Sequence, residues 1–239
     1  MNTNERFIEF NGVDIYFSST PVLRNVSFSV RRGEKIGLIG PNGSGKTTLV
    51  RTIMSLHTHF QGAVYTAPCL TFGYAPQRKV VDILVPLTVY EYVTLDTGAQ
   101  YNSALFDLWS EKLALSRMMD KPFASLSGGQ KQRALLLRSI LPCPDCLILD
   151  EPTDNLDIKG EKGLLHLVDD FCINNQITMF IISHSINSVI NHVDRIFYLN
   201  DSSLHEIRHG NSAELEQSLS RIFDTDVGVR QINGQTIVF

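Results

Sequence analysis

The sequence predicts an α/β chain with a mainly parallel sheet, an antiparallel β layer and an inserted α-helical subdomain, on three observations. An apolar run, Ile36-Gly37-Leu38-Ile39, feeds a glycine-rich segment that opens into helical spacing. Apolar runs of strand length at 146–150, 177–182 and 195–199 alternate with stretches of helical spacing at 129–141, 160–174 and 186–191, the pattern of a parallel sheet. Between 78 and 125 the apolar period becomes helical throughout. The expected organisation is a single domain over 1–239, with an inserted helical subdomain at 78–125 and a C-terminal extension at 212–239.

Taken in order, residues 7–10, 13–17 and 26–30 alternate apolar with polar, with turn signals at Asn11-Gly12, Thr20-Pro21 and Arg32-Gly33. They form the antiparallel layer. Phe17, about thirty residues before Lys46, fits an aromatic stacked on an adenine base and fits a core strand residue equally well. Short strands are expected at 63–66 and 71–74. In the insert, Val89, Tyr90, Tyr92, Val93 and Leu95 make one apolar stripe, and Leu105, Phe106, Leu108, Trp109, Leu113 and Leu115 another. The tail carries an amphipathic stretch, Leu215, Leu219, Ile222 and Phe223, then two strands around Asn233-Gly234, a strong hairpin signal.

Gly40-Pro41-Asn42-Gly43-Ser44-Gly45-Lys46-Thr47-Thr48 is G-x-x-x-x-G-K-T leaving a strand, the phosphate-binding P-loop of an NTPase core. Its glycines let backbone N–H groups turn inward around a polyphosphate, and the following helix points its positive end at the same anion. Lys46 is placed to reach the β- and γ-phosphates, and the Thr47 hydroxyl to ligate Mg²⁺. Further on, Leu147-Ile148-Leu149 ends in Asp150 and Glu151, an apolar strand exposing two acids at its C-terminal end. After a P-loop this fits Asp150 as a holder of the Mg²⁺ site and Glu151 as the group that orients or deprotonates the attacking water. Leu126-Ser127-Gly128-Gly129-Gln130 offers a hydroxyl and backbone N–H groups at a helix start, a second anion site or simply an N-cap.

Bulk properties narrow the partners. A net charge of −4 over 239 residues and a pI near 6.0 supply no basic field for nucleic acid. Met1 to Arg6 lacks the apolar core of a signal peptide, and no stretch approaches membrane-span length, so the chain is expected in the cytoplasm. Cys69, Cys143, Cys146 and Cys172 include one C-x-x-C pair with no matching second pair, so they are read as small apolar packing residues.

The P-loop at Gly40, Gln77, the L-S-G-G-Q segment at Leu126, the acid pair at Asp150 and His184 together resemble the ATP-binding cassette (ABC) family in order and approximate spacing, over Phe7 to Asn200. The resemblance implies an ABC nucleotide-binding domain that hydrolyses ATP with Mg²⁺. It implies a head-to-tail pair, here a homodimer, in which Ser127, Gly128 and Gly129 cover the γ-phosphate held by the other subunit. Gln77 would sense Mg²⁺ and the attacking water, His184 would contact the γ-phosphate, and Asp154 to Asp157 would cross the dimer interface. Ser18, Ser185 and Asp154 depart from the commonest family pattern. The usual partners are an integral membrane permease, docked at the Gln77 segment and helical insert, and a substrate-binding protein, with the cassette peripheral on the inner face of the membrane. Phe72 to Arg78, Val81-Asp82 and Pro86 to Val89 are similar to the branch that imports zinc, manganese or chelated iron, as is the ending from Leu215 to Phe239. The alternatives are a cassette for another cargo, such as a lipid or peptide, or a soluble ABC ATPase switch.

Overall fold

The computed structural model describes residues 6–77, 86–95, 102–153, 158–207 and 211–239. In chain order it forms β1 (Arg6–Phe17), β2 (Thr20–Arg31), β3 (Lys35–Ile39), α1 (Lys46–Ile53), β4 (Phe60–Thr66), β5 (Phe72–Ala75), α2 (Val89–Thr94), α3 (Ser103–Lys112) and α4 (Gly128–Ile140). These are followed by β6 (Cys146–Asp150), α5 (Ile158–Asn175), β7 (Thr178–Ser183), β8 (Arg195–Asn200), β9 (Ser203–Ile207), α6 (Ser212–Phe223), β10 (Val229–Ile232) and β11 (Gln235–Val238). The chain divides into two compact units, Met1–Cys69 with Thr178–Phe239, and Leu70–Ile177. No helix among the described residues is long and apolar enough to cross a membrane.

In the first unit β3 pairs in parallel with β7 on one edge and β8 on the other, and β9 returns antiparallel to β8. Ile36, Leu38 and Ile39 are buried, as is every residue of β7, which explains why both read as unbroken apolar runs. The antiparallel layer has the order β2-β1-β4. It packs on the parallel strands through Phe28, which stacks on Phe10 of its own layer at 4.8 Å and lies tilted against Phe197 of β8 at 5.3 Å. Arg195 binds this unit together, with a bidentate pair to Glu206 (2.7 and 3.0 Å) and a bond to the carbonyl of Ser29 (2.7 Å).

Three local expectations are corrected here. Asn11-Gly12 is no turn: β1 runs straight through it as a bulge, and the register shifts there against both β2 and β4. The Ser27 hydroxyl accepts from the Gly12 N–H at 2.9 Å. The chain reverses at Ser18 (φ 54°) and Ser19 instead, and Pro21 enters β2, an edge strand that tolerates its missing N–H. Strand β9 was not expected, because its turn, Asp201-Ser202, reaches the two positive φ values of a primed hairpin (46° and 61°) without glycine. The helix expected at 186–191 is a short series of turns. Asp194 is drawn onto Lys35 by backbone and side-chain bonds of 2.7 and 2.8 Å, which ends the turns and starts β8.

The second unit holds the parallel pair β5–β6 and the helices α2 to α5. Thr88 caps α2 in a reciprocal capping box with Glu91, and Asn102 caps α3. Only part of each expected stripe is buried. Val89, Tyr92 and Val93 face inward on the six-residue α2, while Tyr90 and Leu95 are exposed, and Trp109, Leu113 and Leu115 are buried while Leu108 is exposed. The cysteines split as well. Cys146 and Cys172 are buried, and burial pushes the Cys146 thiol pKa far up, so packing is their role. Cys69 and Cys143 are exposed at left-handed turn positions (φ 58° and 49°), which corrects the packing assignment for those two.

Helix α4 crosses β5 at Gly73, where an added Cβ would lie 2.1 Å from the carbonyl oxygen of Ser139. Gly73→Ala therefore forces helix and strand apart and should lower unfolding free energy by roughly 1–3 kcal/mol. Chemical denaturation of the two proteins checks this; equal stability would mean that the helix does not sit so close.

Candidate functional site

The first unit builds an anion cradle at one end of its parallel strands. Strand β3 delivers Gly40, and Lys46 opens α1 with no side-chain cap and no acidic residue in the first turn, leaving the helix N-terminus positive. Gly40, Gly43 and Gly45 all have positive φ (152°, 82° and 99°). Gly45 shows why: a Cβ there would stand 2.9 Å from Val22, so a side chain would be strained and also crowded. The Lys46 ammonium is buried and folds back over the loop, donating to the carbonyls of Gly40 (2.6 Å) and Pro41 (2.9 Å). Ser44 Oγ is buried with no hydrogen-bond partner among the described residues. An orphaned hydroxyl, a buried cation and uncapped N–H groups are the donor set that a polyphosphate satisfies. Pro41, Asn42 and Gly43 of the loop are exposed, as is Thr47 in the first turn of α1, and Thr48 is half-buried.

His184 belongs to the same end. Ser183 pairs with Ile39, so the chain leaves β7 at His184 level with the point where β3 gives way to Gly40. The histidine is exposed, in a tight turn in which Ser183 Oγ accepts from the Ser185 N–H at 3.0 Å. Phe17 closes β1 and is 68% exposed, which removes the core-strand reading left open by its spacing. Tyr16 beside it is held from behind by the His57 ring, whose Nε2 lies 2.8 Å from the Tyr16 carbonyl.

In the second unit the acids gather at the end of a different strand pair. Ala75 pairs with Leu149, so Pro76 and Gln77 leave β5 at the same end at which β6 runs into Asp150 and Glu151. Both carboxylates are buried, at 6% and 7% exposure, where solvent screening is weak. Glu151 has φ 53°, a left-handed backbone that costs a non-glycine residue energy and marks many active-site positions. One contact escaped the sequence reading: the Tyr74 hydroxyl donates to Asp150 Oδ2 at 3.1 Å, tying the strand that leads to Gln77 to the acid. Its only trace in the sequence is Tyr74-Ala75-Pro76-Gln77, within the segment Phe72 to Arg78.

Ser127, Gly128, Gly129 and Gln130 stand at the N-terminus of α4. Ser127 is the N-cap, its Oγ accepting from the Gln130 N–H (3.4 Å) while Gln130 Oε1 accepts from the Ser127 N–H (2.9 Å). The N-cap and anion-site readings coexist, because a hydroxyl that accepts one bond still has its proton to donate, and the first-turn N–H groups of Gly128 and Gly129 have no intrahelical acceptor. The interface candidates Asp154 to Asp157, and the segment around Val81-Asp82, lie outside the described residues.

Comparison with known proteins identifies the family of the chain. The sequence profile of the ABC transporter family matches residues 23–154. A zinc import ATP-binding protein, ZnuC, of Yersinia enterocolitica is 34% identical over 193 residues, spanning 81% of this chain and 76% of that protein. Its counterpart in Pseudomonas savastanoi pv. phaseolicola is 36% identical over 196 residues, 82% of this chain and 73% of that one. Among solved structures, a metal-chelate type ABC transporter in an inward-facing conformation superposes with a TM-score of 0.80 at 22% identity, covering 98% of this chain and 96% of that one. A dimeric bacterial ABC transporter cassette gives 0.74 at 24% identity, covering 84% and 99%. At those identities the two structures speak to fold alone.

Tyr74→Phe deletes only the hydroxyl on Asp150. It should cost about 1–2 kcal/mol of stability, the range for a bond to a charged acceptor discounted for partial exposure. Thermal and denaturant unfolding of the variant check this, and an unchanged midpoint would mean that the bond contributes nothing.

Proposed function

The chain belongs to the ABC transporter family, whose cassettes bind and hydrolyse ATP, and from that premise we propose that it powers import of a metal ion or metal chelate through a membrane permease. The observation that carries the cargo assignment is the similarity, over four-fifths of the chain, to cassettes named for zinc import. The cargo passes through the permease and needs no ligand on this chain.

The proposed division of labour follows the chemistry of each group. Phe17 stacks on the adenine. The backbone of Pro41 to Gly45, with Ser44, Lys46 and Thr48, cradles the phosphates. Thr47, Asp150 and Gln77 offer only oxygen donors, which suits Mg²⁺, and that ion when bound neutralises charge on the β- and γ-phosphates. Glu151 orients a water and takes its proton as the water oxygen bonds to the γ-phosphorus. The bond to the bridging oxygen breaks, leaving ADP and inorganic phosphate. His184 holds the γ-phosphate in line for that attack. Ser127, Gly128, Gly129 and Gln130 of a second copy supply neutral donors to the same phosphate, in place of an arginine finger. The working unit on this reading is a homodimer at the inner face of the membrane, with a permease and a substrate-binding protein.

Glu151→Gln removes the proton acceptor but keeps size and hydrogen bonding. It should bind ATP normally, hydrolyse it about a hundredfold or more slowly, and run as a dimer in gel filtration with ATP. A monomer at saturating ATP would count against the paired arrangement. The transport assignment is tested by extracting the native complex in mild detergent and identifying its members by mass spectrometry. A polytopic permease with a metal-binding extracytoplasmic protein is expected; a lipid- or peptide-binding partner would overturn the metal assignment, and ribosomes or nucleic acid would overturn transport itself.

A further inference from the structure

The turns that follow His184 are fastened to the C-terminal hairpin by two asparagines. Asn187 Nδ2 donates to the Val238 carbonyl at 2.8 Å and its Oδ1 accepts from the Val238 N–H at 2.9 Å. Asn191 does the same with Thr236, at 3.0 and 2.8 Å. A side-chain amide carries the same donor and acceptor as a peptide unit, so each asparagine makes one rung of a ladder. The spacing suits this: residues four apart on a helical turn advance about 6 Å, close to the roughly 6.6 Å between alternate residues of a strand.

The hairpin is built to receive them. Gly228 and Phe239 exchange both backbone bonds at 3.0 Å, so Phe239 faces β10 while Val238 and Thr236 turn their N–H and C=O groups to the outer edge of β11. That edge would otherwise be an open strand edge. On its other side β10 is anchored where the Val229 N–H donates to Glu216 of α6 at 2.7 Å. Both asparagines are exposed and contribute nothing to the apolar core.

The clamp acts on a very short span. Ser183 is fixed in the sheet by its pairing with Ile39, and Asn187 is fixed to β11, leaving only His184, Ser185 and Ile186 between the two anchors. We infer that the β10–β11 hairpin is a positioning element for His184, acting through Asn187 and Asn191. This rests on the reading of His184 as a γ-phosphate contact given above. The hairpin itself touches no nucleotide on this account; it restricts where the histidine can stand.

The test is steady-state ATP hydrolysis by the full chain carrying Asn187→Ala with Asn191→Ala, His184→Ala, or all three, together with amide hydrogen exchange. The asparagine pair variant should lose about tenfold in kcat with KM for ATP nearly unchanged, because a displaced catalytic contact costs turnover more than binding. In the His184→Ala background the same pair should cost nothing more, and the amides of Thr236 and Val238 should lose protection when the asparagines are removed. Full activity of the pair variant beside an impaired His184→Ala overturns the inference. So do additive losses, which would indicate a merely structural role, and unchanged protection at Thr236 and Val238. Full activity of His184→Ala would instead overturn the role of His184 on which the inference stands.

Discussion

Strand β3 has buried apolar side chains and no free edge, since β7 and β8 hydrogen-bond to it in parallel on either side. A strand held that way cannot slip by a residue without turning its side chains over, so its register is fixed, and with it the level at which the chain leaves the sheet. Parallel neighbours leave at the same end. Gly40 and His184 are therefore brought level by backbone pairing alone, before any side chain has made a contact. The turns from Ile186 to Val193, the Asp194 junction and the entry into β8 are accommodations to that strand, down to the packing of Val189 and Val193 against the space that Gly37 leaves open.

The two units divide the electrostatics. One gathers donors: uncapped N–H groups, a buried ammonium and an orphaned hydroxyl, all suited to negative charge. The other gathers acceptors, two buried carboxylates at the end of β6, one of them oriented by a tyrosine hydroxyl and the other on a strained backbone. The first set suits a bound anion, and the second suits a cation or a proton. The strain at Glu151 persists only because the surrounding structure over-determines it, and the fully buried β6 behind it supplies that constraint.

The sequence is legible where a residue type recurs at a fixed spacing: it locates the loop from Gly40 to Thr48 after β3, the acid pair at the end of β6, Ser127 at the start of α4 and His184 at the end of β7. The Asn233-Gly234 turn is legible from its composition, with φ of 52° and 76° at its two residues. What escaped was set by tertiary context. Asn11-Gly12 has the composition of a turn, but pairing on both edges of β1 absorbs it as a bulge. Asp201-Ser202 makes a primed turn without the glycine that would have announced it. The exposure of Phe17, the split among the cysteines and the Tyr74 bond depend on which neighbours the fold supplies, and no local pattern encodes a neighbour.

The contact at Gly73 has a mechanical side. Ser139, near the far end of α4, bears directly on the strand that continues to Gln77, while Ser127 caps the opposite end of the same helix, about 18 Å away at helical rise. Packed also against α2, α3 and β6, the helix spans that distance as one rigid element, so the placing of Gly73 under Ser139 also fixes where Ser127 stands relative to the strand that continues to Gln77.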